Sequence, residues 1–154
     1  MRPWPLVRDL LSYWLPPFLG VAAILTLSGD LGSSSQTLSL LQRLLSWVPY
    51  LSPAHLEVFN VALRKGGHVL SYGVLYFLWF RAFQGQRGYG RGRALLCSLA
   101  LCLAVAAMDE GHQALLSSRT GSLRDVALDL GGSTLGAVLT LLLWSPRPQA
   151  TWGE

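Results

Sequence analysis

The chain has 154 residues, 51% of them hydrophobic and only 13% charged, with a net charge of +4. Soluble domains carry about 25% charged residues, so the composition argues for a single membrane domain over residues 1–154. The basic excess does not imply nucleic acid, because the arginines are scattered around apolar runs and form no stripe on a soluble face.

The first apolar run, Leu10–Gly29, holds no charge across 20 residues, about the ~20 needed to cross a bilayer. Arg2 and Arg8 would suit a secretory leader, but the run is long, Pro16-Pro17 interrupts it and no small-x-small cleavage site follows. We read it as a retained, kinked span. Residues 30–64 then form an extracytoplasmic link. In it Leu38, Leu41, Leu44, Leu45 and Val48 recur at helical spacing, with Trp47 and Tyr50 as anchors, which predicts a helix lying on the membrane. Ser52-Pro53 has the pattern of an N-cap and first helical position, opening a helix toward Lys65 and into the second span.

Three shorter apolar runs follow: Gly66–Phe80, Ala94–Met108 and Leu130–Ser145. Each must draw in flanking residues, tilt or thin the bilayer. The extensions are Lys65 for the first, Asp109 to Gln113 for the second and Arg124 to Asp129 for the third. The expected fold is therefore all-α: a multi-pass integral membrane protein, a four-span helical bundle (about 10–29, 64–83, 92–113 and 123–144) with an interfacial helix between spans one and two. Cys97 and Cys102 fall on different faces of a presumptive helix and read as small core residues, not as a disulfide or a metal pair.

With the N-terminus inside, Arg2, Arg8, Arg81, Arg87, Arg91, Arg93 and Arg147 lie on the cytoplasmic side, and Arg43, Arg64, Lys65, Arg119 and Arg124 on the other. The short arginine-flanked link at 84–92 is the clearest cytoplasmic signal. Both termini are then cytoplasmic, in the cell membrane. The start of span two, the end of span three and the start of span four share the outer side.

That convergence gathers Lys65, His68, Tyr72, Asp109, Glu110, Gln113, Arg119, Asp125 and Asp129. A charge at membrane depth costs about 2.5–3.5 kcal/mol on insertion scales, so such residues mark a functional site by default. Lys65, His68 and Tyr72 share a helical face, as do Asp109 with Gln113 and Asp125 with Asp129. Carboxylates with an imidazole can hold a divalent cation or act as acid and base; Lys65, Arg119 and Arg124 can clamp a phosphate. The residues alone leave the metal and any cofactor open. Structural readings stand beside these. Ser122 to Asp125 fits a capping box, His68 can be a histidine bonded to Tyr72 or Asp109, and Gly132 with Gly136 fits close helix packing. Trp144 and Trp4 suit an interfacial belt, and His112 points away from the site.

In order and spacing, Arg64-Lys65-x-x-His68-x-x-x-Tyr72-x-x-Leu75, then Asp109-Glu110-x-x-Gln113, then Arg119-x-Gly121-Ser122-x-x-Asp125 and a glycine-rich span resemble the VanZ-like family over roughly residues 60–140. The resemblance implies a small multi-pass bacterial membrane protein, and its name-giving member is associated with low-level teicoplanin resistance. It carries the family's polar positions onto Lys65, His68, Tyr72, Asp109, Glu110, Gln113, Arg119 and Asp125. Asp129 falls where Asn or Asp is expected.

Two function classes follow. In one, the cluster binds or acts on a lipid or lipid-linked envelope precursor with a phosphate headgroup. Asp109 or Glu110 is then the base or metal ligand, His68 the acid or base partner, and Lys65 with Arg119 the phosphate clamp. In the other, the charges form a buried network that fixes helix packing. No nucleophile is evident, since Ser117, Ser118 and Ser122 lie in or beside a loop with no triad. The expected partners are membrane lipids and an envelope component.

Overall fold

The computed structural model describes residues 4–29, 32–48, 51–85, 89–115 and 122–144, with side chains from Val7 onward. Arg119, with Ser117, Ser118, Arg2, Arg87, Arg147 and Tyr50, lies outside the described residues, and the side chain of Trp4 does too.

α1 (Trp4–Asp9) leads into the first apolar run, which folds as a π-helical turn (Leu10–Trp14) and α2 (Leu15–Leu27). Pro16 and Pro17 explain the break: neither has an N–H to give to the preceding turn, and each ring crowds the carbonyl four residues back. The turn widens instead, with the N–H of Leu15 donating to Leu10 O, five residues back. α3 (Ser34–Leu44) is amphipathic, and Leu41 is buried in it. It is tied to the next helix by Asn60, whose Nδ2 donates to the Ser34 carbonyl and hydroxyl, both at 3.1 Å.

α4 (Pro53–Gln84) is a single helix of 32 residues, about 48 Å long at 1.5 Å per residue. Ser52 caps it, accepting from the His55 N–H, and Pro53 occupies its first turn. The expected second helix and second span are thus continuous. His55, for which the sequence offers no partner, places Nδ1 2.9 Å from the Ser52 hydroxyl. α5 (Arg91–Ala114) and α6 (Leu123–Leu143) are the last helices among the described residues.

Among the described residues, three segments are long and apolar enough to cross a membrane: Val7–Leu27, Arg91–Ala114 and Leu123–Leu143. α4 is not among them, because glycines, tyrosines and His68 dilute its apolar stretch. It is instead the hub, packed against α2, α3, α5 and α6. One face buries Tyr72, Leu75, Tyr76, Trp79, Phe80 and Phe83 against Ala94, Cys102, Val105 and Ala106 of α5 and Ala137 of α6. Cys102 is buried there as a free thiol, and Cys97 is free and half-buried. Trp144 packs edge-on against Phe80 at 5.6 Å between ring centroids.

Cross-helix contacts define an antiparallel order. At one end Trp14 meets Phe83 at 5.5 Å, Arg81 lies 5.0 Å over the Tyr13 ring, and Arg91 donates to Leu141 O at 3.0 Å. At the other, Ser28 meets the last turns of α5. Successive long helices therefore run in opposite directions, which brings the start of α6 beside the end of α5.

The α4–α6 seam is the tightest. A Cβ built on Gly132 would stand 2.5 Å from Val69 O, and one on Gly136 would stand 2.6 Å from Gly73 O. Only glycine lets these backbones approach so closely, the small-residue packing that helices use where water supplies no drive to associate. Along the same helix Ser133 and Thr140 return their hydroxyls to carbonyls four residues back, which satisfies both within the helix.

Candidate buried carboxylate site

Asp109 and Glu110 arise on the last turns of α5 and Asp129 on the second turn of α6; all three are buried, Asp109 and Asp129 completely. One oxygen from each lies within 4.8 Å of the others. Each carboxylate is held by one of its two oxygens. Asp109 Oδ2 accepts from the Ser28 hydroxyl at 2.8 Å and from Gln113 Nε2 at 3.1 Å, and Gln113 also donates to Ser28. Glu110 Oε2 accepts from the backbone N–H of Ser122 at 2.6 Å. Asp129 Oδ1 accepts from His68 Nδ1 at 2.8 Å. The second oxygens, Asp109 Oδ1, Glu110 Oε1 and Asp129 Oδ2, are buried without a partner among the described residues, and so is the Tyr72 hydroxyl.

The helix ends explain the arrangement. Ser122 caps α6 with its hydroxyl, which accepts from the N–H of Arg124 at 3.1 Å. In a capping box the residue three positions on would reach back to the Ser122 N–H. Here Glu110 of α5 takes that N–H, so the cap stitches two helices together. Asp125 is left half-buried on the first turn of α6, with no side-chain hydrogen bond among the described residues.

Of the expected site residues, His68, Tyr72, Asp109, Glu110 and Gln113 are brought together, with Asp125 at the edge. Lys65 is not: it is exposed and borders a different space, an apolar groove of about 760 Å³ between α4 and α6 that ends at Trp144. The helix turns it away, since the cluster is flanked by the face of α4 that carries Arg64, Gly67, His68 and Ser71, about 100° round from Lys65. A second cavity, about 210 Å³, opens onto the cluster itself and is lined by Ser28, Arg64, His68, Ser71, Tyr72 and Asp109, with Ile24 and Leu27 as its apolar wall. Among the described residues, Arg64 rather than Lys65 is thus the cation that lines the cavity beside the cluster; its i,i+4 spacing to His68 was the available signal. Ser28, at the end of the first apolar run, had no such signal. Asp129 turns out to be the partner of His68, where Tyr72 or Asp109 was expected. His112 is exposed, as read from the sequence.

Apolar helices of crossing length that enclose carboxylates at adjoining ends define a helical protein of the membrane type with a buried polar site. Its sequence pattern agrees: the VanZ/LLP1 family profile matches residues 17–144. The chain belongs to the VanZ/LLP1 family. No curated protein and no solved structure matches it.

Proposed function

We propose that this VanZ-type protein crosses the cell membrane four times, with α4 as the second span, α3 lying on the outer surface and both termini in the cytoplasm. The carboxylate site then faces the extracytoplasmic side, where it binds or acts on the polar head of a lipid or lipid-linked envelope component. One observation carries this reading: the cavity at the cluster sets Arg64 beside the apolar Ile24 and Leu27. A headgroup needs donors, and its chain needs an apolar exit. Arg64 is the anion-binding group, in the role that the spacing pattern gave to Lys65. A link to glycopeptide (teicoplanin) resistance belongs to the same reading and is supported by the family resemblance alone.

A second reading is favoured by the Glu110 bond to the Ser122 N–H, which ties α5 to α6 as a purely structural network would. Lipid retention separates the two. Native mass spectrometry of the protein in micelles with phosphatidylglycerol should show retained lipid, and Arg64→Gln should weaken retention about tenfold or more. A hydrogen bond to a charged group is worth about 1.5–3 kcal/mol, and 1.4 kcal/mol is about tenfold. Equal retention by Arg64→Gln, or equal retention of phosphatidylcholine with no anionic preference, favours the scaffold.

Orientation has its own check. Reporter tags at both termini should be cytoplasmic and a tag at Ser118 extracytoplasmic, because the arginine-flanked link at 84–92 is retained inside. A cytoplasmic signal from Ser118 reverses the assignment.

A further inference from the structure

We infer that Asp109, Glu110 and Asp129 form a binding site for a hard divalent cation of the Ca²⁺ or Mg²⁺ type. The inference rests on the reading of the cluster as a ligand site and adds what the site holds.

Three features point to a cation. The first is ligand geometry. Three carboxylate oxygens from two helices lie within 4.8 Å of one another. Ligands on opposite sides of a Ca²⁺ ion at 2.3–2.6 Å stand about 4.6–5.2 Å apart, so all three fit one coordination shell. The second is the division of labour within each carboxylate. One oxygen is fixed by an outer partner (Ser28 with Gln113, the Ser122 N–H, or His68) and the other is buried and unpartnered among the described residues. Outer groups that pin one atom of a ligand and leave the other free are the usual second layer of a metal site. The third is the Tyr72 hydroxyl, on a side chain 1% exposed and without a partner. It lines the same cavity as Asp109 and His68.

Charge decides between this and an empty network. Among the described residues, three buried carboxylates face one imidazole, with Arg64 lining the adjoining cavity, so negative charge is in excess, and burying unpaired carboxylates is expensive. A divalent cation offsets two charges at once and satisfies the free oxygens. Oxygen-only donors select Ca²⁺, Mg²⁺ or Mn²⁺ over softer metals. The cavity beside the cluster gives the ion a route in and leaves room for water or a phosphate oxygen to complete its shell.

The test uses the full-length protein in detergent micelles, stripped with EDTA and titrated with CaCl₂, MgCl₂ or MnCl₂, with KCl matching ionic strength. Saturable thermal stabilisation by at least one divalent ion and none by KCl is expected. Glu110→Gln and Asp129→Asn should each weaken binding at least tenfold. His68→Gln, which alters only an outer partner, should weaken it about 10–100-fold. If those variants do not accumulate, Tb³⁺ luminescence in the wild-type protein reads the site directly, and Tyr72→Phe should remove most of the tyrosine-sensitised signal. Absence of any saturable divalent effect, or wild-type affinity in both carboxylate variants, overturns the inference. Phosphatidylglycerol retention is measured in the same samples. Retention without cation binding overturns the metal site alone, and loss of both overturns the ligand-site reading as well.

Discussion

Gly132→Ala and Gly136→Ala are each expected to cost about 2–3 kcal/mol, toward the upper end of overpacking effects, whereas Gly131→Ala one residue away is expected to cost nothing. The added methyl groups at Gly132 and Gly136 would meet the Val69 and Gly73 backbone carbonyls at 2.5 and 2.6 Å, while one at Gly131 meets nothing within 4 Å. Backbone cannot step aside as a side chain can, so α4 and α6 must separate. That movement opens the seam that carries His68 against Asp129. Gly131→Ala should be neutral or gain up to about 1 kcal/mol, the usual helix preference for alanine. Thermal unfolding in micelles should place the two seam variants about 4–12 °C below wild type, at about 2–4 °C per kcal/mol. Identical melting of the Gly131 and Gly132 variants would mean that the two helices do not approach as described.

The site makes the second large prediction. His68→Leu removes the donor to a fully buried Asp129 and should cost about 2–3 kcal/mol, within the range for hydrogen bonds to charged groups. Asp129→Leu should cost a similar amount, and the double variant less than the sum, with a coupling of about 0.5–3 kcal/mol. Lys65→Ala combined with Asp109→Asn should instead be additive within about 0.3–0.5 kcal/mol, because Lys65 borders the groove on the far side of α4. A thermal double-mutant cycle measures both. Coupling of Lys65 to Asp109 together with additivity of His68 and Asp129 would exchange the two residues' roles.

Much of this arrangement is legible in the sequence. Of the four apolar runs read as spans, three fold as helices of crossing length, Ser52-Pro53 marked the start of α4, and the Gly132–Gly136 spacing marked the seam. Convergence of His68 with Asp109 and Glu110 followed from alternating helix direction alone. What escaped was helical phase and cross-chain partnering. Lys65 and Arg64 are neighbours in sequence, yet they differ by about 100° around the helix, and spacing to His68 fits either one. Ser28 is a small polar residue at a helix end, and only the packing of α2 against α5 shows that it serves Asp109. The Ser122–Asp125 pattern spelled a self-contained cap, but a carboxylate from another helix outcompeted the local one, a tertiary contact that no local pattern encodes.

The wide turn at Leu10–Trp14 sets the rotational phase of everything before it. A turn closed by a five-residue hydrogen bond takes in one residue more than an α-turn, so Val7–Asp9 are offset relative to α2. The turn thereby sets which part of α4 each of its residues meets. Tyr13 lies under Arg81 and fills the space that a side chain on Gly85 would need, while Trp14 seats against Trp79 and Phe83. Were Pro16 and Pro17 both alanine, the helix could relax to a regular pitch, and the residues before the turn would rotate relative to α2 and lose their register with α4. The proline pair therefore acts as a phase shifter, fitting the first helix to both the aromatic and the basic features of the α4 terminus.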